Sequence, residues 1–434
     1  MNTLKVALLG AGNVGSEVAR ILIEDSEVLA ARAGSKLELI GIAVRDTATK
    51  RGQHIAPELL TTDAEALVDQ ADLVIELIGG IEPAGSLVAR ALKRGSVVVT
   101  GNKALLAERG AELFQLAREN GGHLGFEAAV AGAIPILRPI NESLSGDRIT
   151  KVMGIVNGTT NFILDAMDTT GADFADVLKQ AQDLGYAEAD PTADIEGFDA
   201  AAKAAILSML SFHADFRLGD VYREGITSIT ADDVDAAKEA GFVIKLLAIA
   251  ERLEDGVAMR VHPTLIPRVH PLGAVHGAFN AVFVEADNAG ELMFYGQGAG
   301  GRPTASAVMG DLVSAVRRLT RGVGAAKDAD EVVEVRSSDL KPLGIEHVMT
   351  SYCIGLTVTD RPGVLSRIAA IFAENGVSIE QMRQSRGNDE ENQASVLRII
   401  THRGSEQALA QTVASIRELD VVSRVNSVLR VEGN

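Results

Sequence analysis

Leu4-Lys5-Val6-Ala7-Leu8-Leu9-Gly10-Ala11-Gly12-Asn13-Val14-Gly15 decides the fold of the first third of the chain. The run to Leu9 has the short apolar content of a buried strand. Glycines follow at 10, 12 and 15, and Ser16–Ile23 takes up helical spacing. Strand, glycine turn and helix, in that order, are the context a dinucleotide fingerprint requires. Gly10, Gly12 and Gly15 permit a tight turn and close backbone approach. The helix start at Asn13 and Val14 turns its amides toward a pyrophosphate.

Outward from this stretch the chain alternates. Leu37–Val44, Leu73–Ile78, Val97–Thr100 and His123–Glu127 read as further strands, with helical segments such as Ala84–Arg94 and Ala104–Glu119 between them. The alternation predicts a Rossmann-type doubly wound parallel sheet. Ligands of such sheets gather at the carboxyl ends of the strands. Arg45 follows strand two, Gly79 follows strand three, and Thr100-Gly101-Asn102-Lys103 closes strand four. An arginine after strand two suits a 2′-phosphate and favours NADP, while Asp46 beside it keeps NAD open. Lys103 points into the crevice where nicotinamide and substrate meet, or else is a surface lysine at a helix start.

Composition narrows the class. The chain has 434 residues, which suggests two to three domains. Hydrophobic residues make up 47%, aromatics 4%, and tryptophan is absent, so Ala, Val, Ile and Leu must build the cores. A formal net charge of -18 argues against a nucleic-acid partner. Cys353 is the single cysteine, so there is no disulfide framework and no thiolate metal cage. No signal-peptide pattern opens the sequence, and the apolar run Phe242–Ala250 is short and carries Lys245. A cytoplasmic protein with no membrane partner is the expectation.

The middle of the chain carries a second constellation. Gly185-Tyr-Ala-Glu188 leads into Asp190, Asp194, Glu196 and Asp199, and then into an almost purely apolar helix whose one charge is Lys203. A helix apolar on all faces is buried, and a lysine inside it must be paired or lose its proton. Asp199 lies four residues earlier, on the same face. An ordinary i,i+4 surface pair is the plainer alternative. Glu127-Ala-Ala-Val130-Ala-Gly132-Ala-Ile134-Pro135 has few side chains to pack. Its oxygens could hold a hard cation, although the residues alone favour a tight turn. Asn157-Gly-Thr-Thr-Asn161 caps a helix and offers hydroxyl and amide groups. Gly298 and Gly300 mark either a crossing back to the first domain or another approach to the cofactor. The histidines have no zinc spacing.

From Tyr352 the pattern changes to βαββαβ, a ferredoxin-like order. The expected domains are 1–130 with 303–322 for the dinucleotide, an α+β substrate and dimerisation domain over 131–302, a linker over 323–350, and the ferredoxin-like unit over 351–431.

Taken together, these motifs resemble homoserine dehydrogenase with a C-terminal ACT domain. The motifs are Gly10-Ala-Gly-Asn-Val-Gly15, Gly101-Asn-Lys103, Glu127 through Pro135, Asn157 through Asn161 and Gly185 through Lys203, together with Asp360-Arg-Pro-Gly-Val-Leu365, which is similar to the ligand turn of ACT domains. The resemblance implies reversible reduction of L-aspartate 4-semialdehyde to L-homoserine with NADP or NAD. It implies Lys203 as the proton donor or acceptor and Lys103 as its assistant at the substrate oxygen. Glu188 and Asp199 would hold the substrate amino group, with Asp194 nearby. Gly185, Gly298 and Gly300 would make backbone contacts to substrate or cofactor. Glu127, Val130, Gly132 and Ile134 would form a sodium loop. Threonine as an effector and a homodimer or homotetramer also follow from the resemblance alone. Aspartate-semialdehyde dehydrogenase needs a thiol for its acyl-enzyme, and Cys353 lies in the wrong domain. A pure ligand sensor would have no use for two lysines arranged as a proton relay.

Overall fold

The computed structural model describes residues 2–320, 338–386 and 394–433. Its first sheet has six parallel strands: β1 (Thr3–Leu9), β2 (Lys36–Ala43), β3 (Leu60–Thr61), β4 (Leu73–Glu76), β5 (Val97–Thr100) and β6 (His123–Gly125). Their order is β3-β2-β1-β4-β5-β6, the doubly wound arrangement expected from the alternation. β3 is an addition to the five strands read from the sequence. It is only two residues long, below what periodicity can register. Helices α1 (Asn13–Glu24), α2 (Ser26–Ala33), α3 (Ala64–Gln70), α4 (Ala84–Lys93) and α5 (Lys103–Glu119) connect the strands. β4, Leu-Val-Ile-Glu, is buried at every residue, as a strand covered on both faces must be. α1 buries Gly15, Val18, Ala19 and Leu22, one face at helical spacing.

The middle of the chain contributes α6 (Gly158–Thr170), α7 (Phe174–Asp183), α8 (Thr192–Ile195), α9 (Phe198–Phe212) and α10 (Ala231–Glu239). Its strands are β7 (Ile149–Ile155), β8 (Tyr222–Arg223), β9 (Phe242–Arg252), β10 (Gly256–Pro267), β11 (Phe279–Ala286) and β12 (Gly290–Gln297). β9, read from sequence only as an apolar run, pairs antiparallel with β10 over its whole length. α11 (Gly301–Thr320) then returns to the first unit and packs on α1.

The last third supplies β13 (Lys341–Leu343), β14 (Met349–Thr359), α12 (Val364–Glu374), β15 (Ile379–Arg386), β16 (Ala394–Thr401), β17 (Gly404–Ser405), α13 (Glu406–Arg417) and β18 (Val422–Val431). Most of the expected linker over 323–350 lies outside the described residues. Its described part includes β13, which pairs with the start of β10. The C-terminal unit has the expected βαββαβ order and a hydrophobic core of its own, and its sheet continues that of the middle third. The second sheet runs β12-β11-β7-β9-β10-β18-β14-β16-β15, so the middle and last thirds share it. The join is a short parallel pairing of Thr264 and Leu265 with Arg430 and Val431. Charge reinforces it. Arg430 donates to Glu406 at 2.6 Å and to Glu224 at 2.9 Å, while fully buried Arg260 donates to Glu432 at 2.6 Å. A guanidinium taken out of water requires such partners.

Candidate active site

The first and third fingerprint glycines are required by the protein's own backbone. Gly10 has φ +99, and a Cβ there would lie 2.6 Å from the carbonyl oxygen of Leu77. A Cβ on Gly15 would lie 2.1 Å from the carbonyl of Gly10. At Gly12, the residue that caps α1, a Cβ would meet nothing within 4 Å. That open face at a helix start is where a diphosphate can approach bare amides. Asn13 and Val14 begin the helix beside it.

Glu76 organises the neighbouring loops and was missed in the sequence reading. Its buried carboxylate accepts the amides of Ile78 at 2.8 Å and Gly79 at 3.1 Å, and the Thr100 hydroxyl at 2.5 Å. The available signal was one acid ending an apolar strand. Thr100 Oγ1 accepts the Asn102 amide. Asn102 in turn donates through Nδ2 to Gly80 and accepts the Leu105 amide through Oδ1, capping α5. Lys103 is therefore fixed as the first residue of α5, at the cleft. Arg45 is exposed beyond β2. Asp46 is turned into its own loop, accepting from Ala48 and Thr49.

α9 brings the second lysine. Every residue from Asp199 to Phe212 except Ala202 is buried. Lys203 Nζ donates to Asp199 Oδ2 at 2.7 Å and to the Val156 carbonyl at 2.6 Å. Asp199 Oδ1 takes Lys103, contributed by the other unit. Burial alone would raise the Asp199 pKa, but Lys203 and Lys103 outweigh it and hold the carboxyl well below the usual range. Asn157 Nδ2 donates to Asp199 at 2.9 Å and to Asp194 at 2.7 Å, while its Oδ1 caps α6. Lys103, Glu188, Asp194 and Asp199 line a cleft of about 890 Å3 between α5 and α9.

The remaining sequence candidates fall around this centre. Gly185, φ +77, ends the helical turn after α7, its amide donating to Gln182. Asp190 accepts from Thr192, and Glu196 from Thr227, so both have local structural partners. Gly298 lies so close to Asn280 that a Cβ would come within 2.1 Å of its side chain. Gly300 has φ +118, and a Cβ on the next residue, Gly301, would meet the Asn13 carbonyl at 2.9 Å. This glycine run is where the chain crosses back onto the dinucleotide turn.

The Glu127 loop fits a cation only in part. The carboxylate of Glu127 is not open to one. It accepts the amides of Ile136, Leu137 and Arg138 at 2.6, 2.7 and 3.0 Å, and Arg138 Nε at 3.1 Å. The carbonyls of Val130, Gly132 and Ile134 accept no hydrogen bond among the described residues, so the backbone retains free oxygens there. Asp311 of α11 accepts the Glu127 amide at 2.8 Å. Burial pushes its carboxyl up to about 7, against that hydrogen bond. Among the described residues no group of three or more His, Cys, Asp or Glu side chains could hold a metal. Lys245 was read only as an interruption of an apolar run. It is fully buried and donates to Asn161 and Val275, with its pKa lowered by burial to about 8. Burial raises the Cys353 thiol to about 11, in keeping with a packing role. No helix among the described residues is long and apolar enough to cross a membrane.

A glycine turn built for a dinucleotide in one unit, and a buried carboxylate that pairs lysines from two units, are the features of a nicotinamide-dependent oxidoreductase. Comparison makes the assignment more specific. Residues 10–127 match the family model "Homoserine dehydrogenase, NAD binding domain", residues 135–313 match "Homoserine dehydrogenase", and residues 354–421 match "ACT domain". A homoserine dehydrogenase of Mycobacterium tuberculosis is 52% identical over 437 residues, covering 99% of this chain and 97% of the relative. One from Corynebacterium glutamicum is 50% identical, covering 98% and 95%. The solved homoserine dehydrogenase of Thiobacillus denitrificans superposes with a TM-score of 0.92 at 42% identity, covering 100% and 99%. A hyperthermophilic archaeal homoserine dehydrogenase solved with NADPH superposes at 0.62 with 29% identity, over 72% of this chain and 97% of that one. The chain belongs to the homoserine dehydrogenase family.

Proposed function

We propose that this enzyme reversibly reduces L-aspartate 4-semialdehyde to L-homoserine, in the branch leading to threonine, methionine and isoleucine, with Lys203 as general acid and base. The observation that carries the reading is the Asp199 carboxylate, held between Lys203 and Lys103 from two units at one cleft. A bound nicotinamide supplies or accepts the hydride. The carbonyl oxygen gains negative charge as the aldehyde is reduced, and that charge needs a proton. An ammonium has three donors, and Lys203 uses two of them, on Asp199 and Val156. The third is available to the substrate oxygen. Lys103 adds a second positive charge at the mouth of the site. Asp199 already holds two lysines and Asn157, so the substrate ammonium is assigned mainly to Glu188 and Asp194 on the cleft wall.

NADP is the proposed cofactor, because Arg45 is exposed at the end of β2 while Asp46 is occupied by its own turn. Sodium is assigned to the 127–134 loop through the carbonyls of Glu127, Val130, Gly132 and Ile134, with the Glu127 side chain shaping the loop. Amino-acid control through the ACT domain, with threonine the first effector to test, a homodimer or homotetramer, and a cytoplasmic location complete the proposal. The test is NADPH or NADH consumption by the purified protein given L-aspartate 4-semialdehyde. NADPH oxidation is expected, and the activity assignment fails if neither cofactor is consumed.

A further inference from the structure

We propose that Arg223 is a positioning residue for the substrate: it fixes the turn between α8 and α9 so that Asp194 is held beside Asp199 at the cleft. The two carboxylates stand on either side of that turn, Asp194 in α8 and Asp199 in the first turn of α9. One nitrogen, Asn157 Nδ2, donates to both, at 2.7 Å to Asp194 and 2.9 Å to Asp199. Its two hydrogens point in fixed directions, so it serves both acids only while the angle between the helices is kept.

The turn's own sequence does not keep that angle. α8 has four residues and no side-chain cap. α9 starts after Gly197, a left-handed residue with φ +78 that has no side chain to cap the helix. The turn is held instead by β8 and the residues that follow it. The Arg223 guanidinium donates to the Glu196 carbonyl, and its Cζ lies 3.6 Å from the centroid of the Phe198 ring. The face of an aromatic ring attracts a cation at that distance. Arg223 thus grips the turn on both sides of Gly197. The Ile226 amide donates to the Ile195 carbonyl at 2.8 Å. Gly225 permits this approach, since a Cβ there would lie 2.5 Å from the same carbonyl oxygen.

The strand that carries Arg223 is itself anchored. Tyr222 and Arg223 pair with Arg260 and Val261 of β10, and the Glu224 amide donates to the Val261 carbonyl at 2.7 Å. Arg430 of β18 holds the Glu224 carboxylate at 2.9 Å. Phe198 and Asp194 line the cleft, and Arg223 does not. Arg223 therefore acts on the substrate through them. Asp199 and Lys203 are joined within α9, one turn apart, so that pair moves together when the turn loosens. The loss of Arg223 is accordingly expected in substrate binding and not in proton transfer. This inference rests on the assignment of the substrate ammonium to Glu188 and Asp194 made above.

Steady-state kinetics of Arg223→Met, at saturating NADPH, test it. KM for L-aspartate 4-semialdehyde should rise about 10-fold or more with kcat within about 3-fold of the parent, the pattern of lost substrate binding. The melting temperature should stay near the parent value. Arg223→Lys, which returns a cation and a donor, should recover most of the KM. In an Asp194→Asn background, Arg223→Met should raise KM by less than about 2-fold more, because the carboxylate it positions is already neutral. Fully additive effects would place the action of Arg223 elsewhere and overturn the proposal. So would an unchanged KM in Arg223→Met, or a fall in kcat alone. Lowered melting temperatures in both Arg223 variants, with kcat and KM shifted together, would reduce Arg223 to a fold contact and also overturn it. A parent-like KM in Asp194→Asn would remove the ammonium assignment itself, and the inference with it, which sets that failure apart from a failure of Arg223 alone.

Discussion

Asp199 joins two lysines that arrive from different units, Lys203 one helical turn along α9 at 2.7 Å and Lys103 from the head of α5. The pairing keeps Lys203 anchored in a helix that is otherwise apolar. Lys203→Met should lower turnover by about 10²-fold or more, the usual loss for a general acid or base. Cofactor affinity, measured by quenching of NADPH fluorescence, should stay near the parent value, because Lys203 lies away from the dinucleotide turn. Parent-like turnover would return Lys203 to a purely structural role.

Asn157 performs two tasks that substitution can separate. Serine caps a helix about as well as asparagine, within roughly 0.5 kcal/mol. Its hydroxyl is too short to cap α6 and also reach Asp194 and Asp199. Asn157→Ser is therefore expected to melt close to the parent while turnover falls on the order of 10- to 100-fold, the cost of small misplacements of reacting groups. A loss of stability with turnover unchanged would confine Asn157 to its cap.

Asp311 gives the fold a pH dependence of determinate sign. Burial raises its carboxyl from 3.8 to about 7, beside Glu127 and Arg138. A folded-state pKa above the unfolded one means that the folded chain binds the extra proton between those values. Its contribution is full below about 3.8 and is lost as pH rises toward about 7. Asp311→Asn keeps an acceptor for the Glu127 amide and removes the titration. Denaturant melts at pH 5 and pH 8 should show a smaller stability difference in the variant than in the parent. An equal difference in both would mean that Asp311 does not titrate in that window.

Much of the site was legible because it is local. The glycine spacing, the cap at Asn157 and the i,i+4 relation of Asp199 to Lys203 all lie within one turn of chain. Glu76 was not legible, since Thr100, the partner that ties its loop to the next strand, lies 24 residues on and is brought beside it only by the sheet. The occupied carboxylate of Glu127 was hidden for the same reason: its partners lie nine to eleven residues on, in a segment with no periodicity of its own. The shared sheet was harder still. Its join rests on a two-residue pairing and on Glu432, which serves both Arg260 and Lys151. Deleting the last third would strip a buried arginine of its main partner, so point variants separate regulation from catalysis more cleanly than truncation.

The fingerprint glycines make opposite predictions although they belong to one motif. A Cβ on Gly15 would overlap the Gly10 carbonyl at 2.1 Å, and no side-chain rotation relieves contact with backbone. Gly15→Ala should therefore reduce the yield of folded protein and lower its melting temperature even without cofactor. A Cβ on Gly12 has no protein atom within 4 Å. Gly12→Ala should fold and melt like the parent, and its defect should appear only as weaker NADPH binding, by about 10-fold or more if the added methyl displaces the diphosphate from the helix amides. Thermal melts of the two variants with and without NADPH distinguish these cases, since only the Gly12 variant should match the parent without cofactor and fall behind it with cofactor. Equal melting of parent and Gly12 variant in saturating NADPH would show that the open face at Gly12 is not where the diphosphate lies.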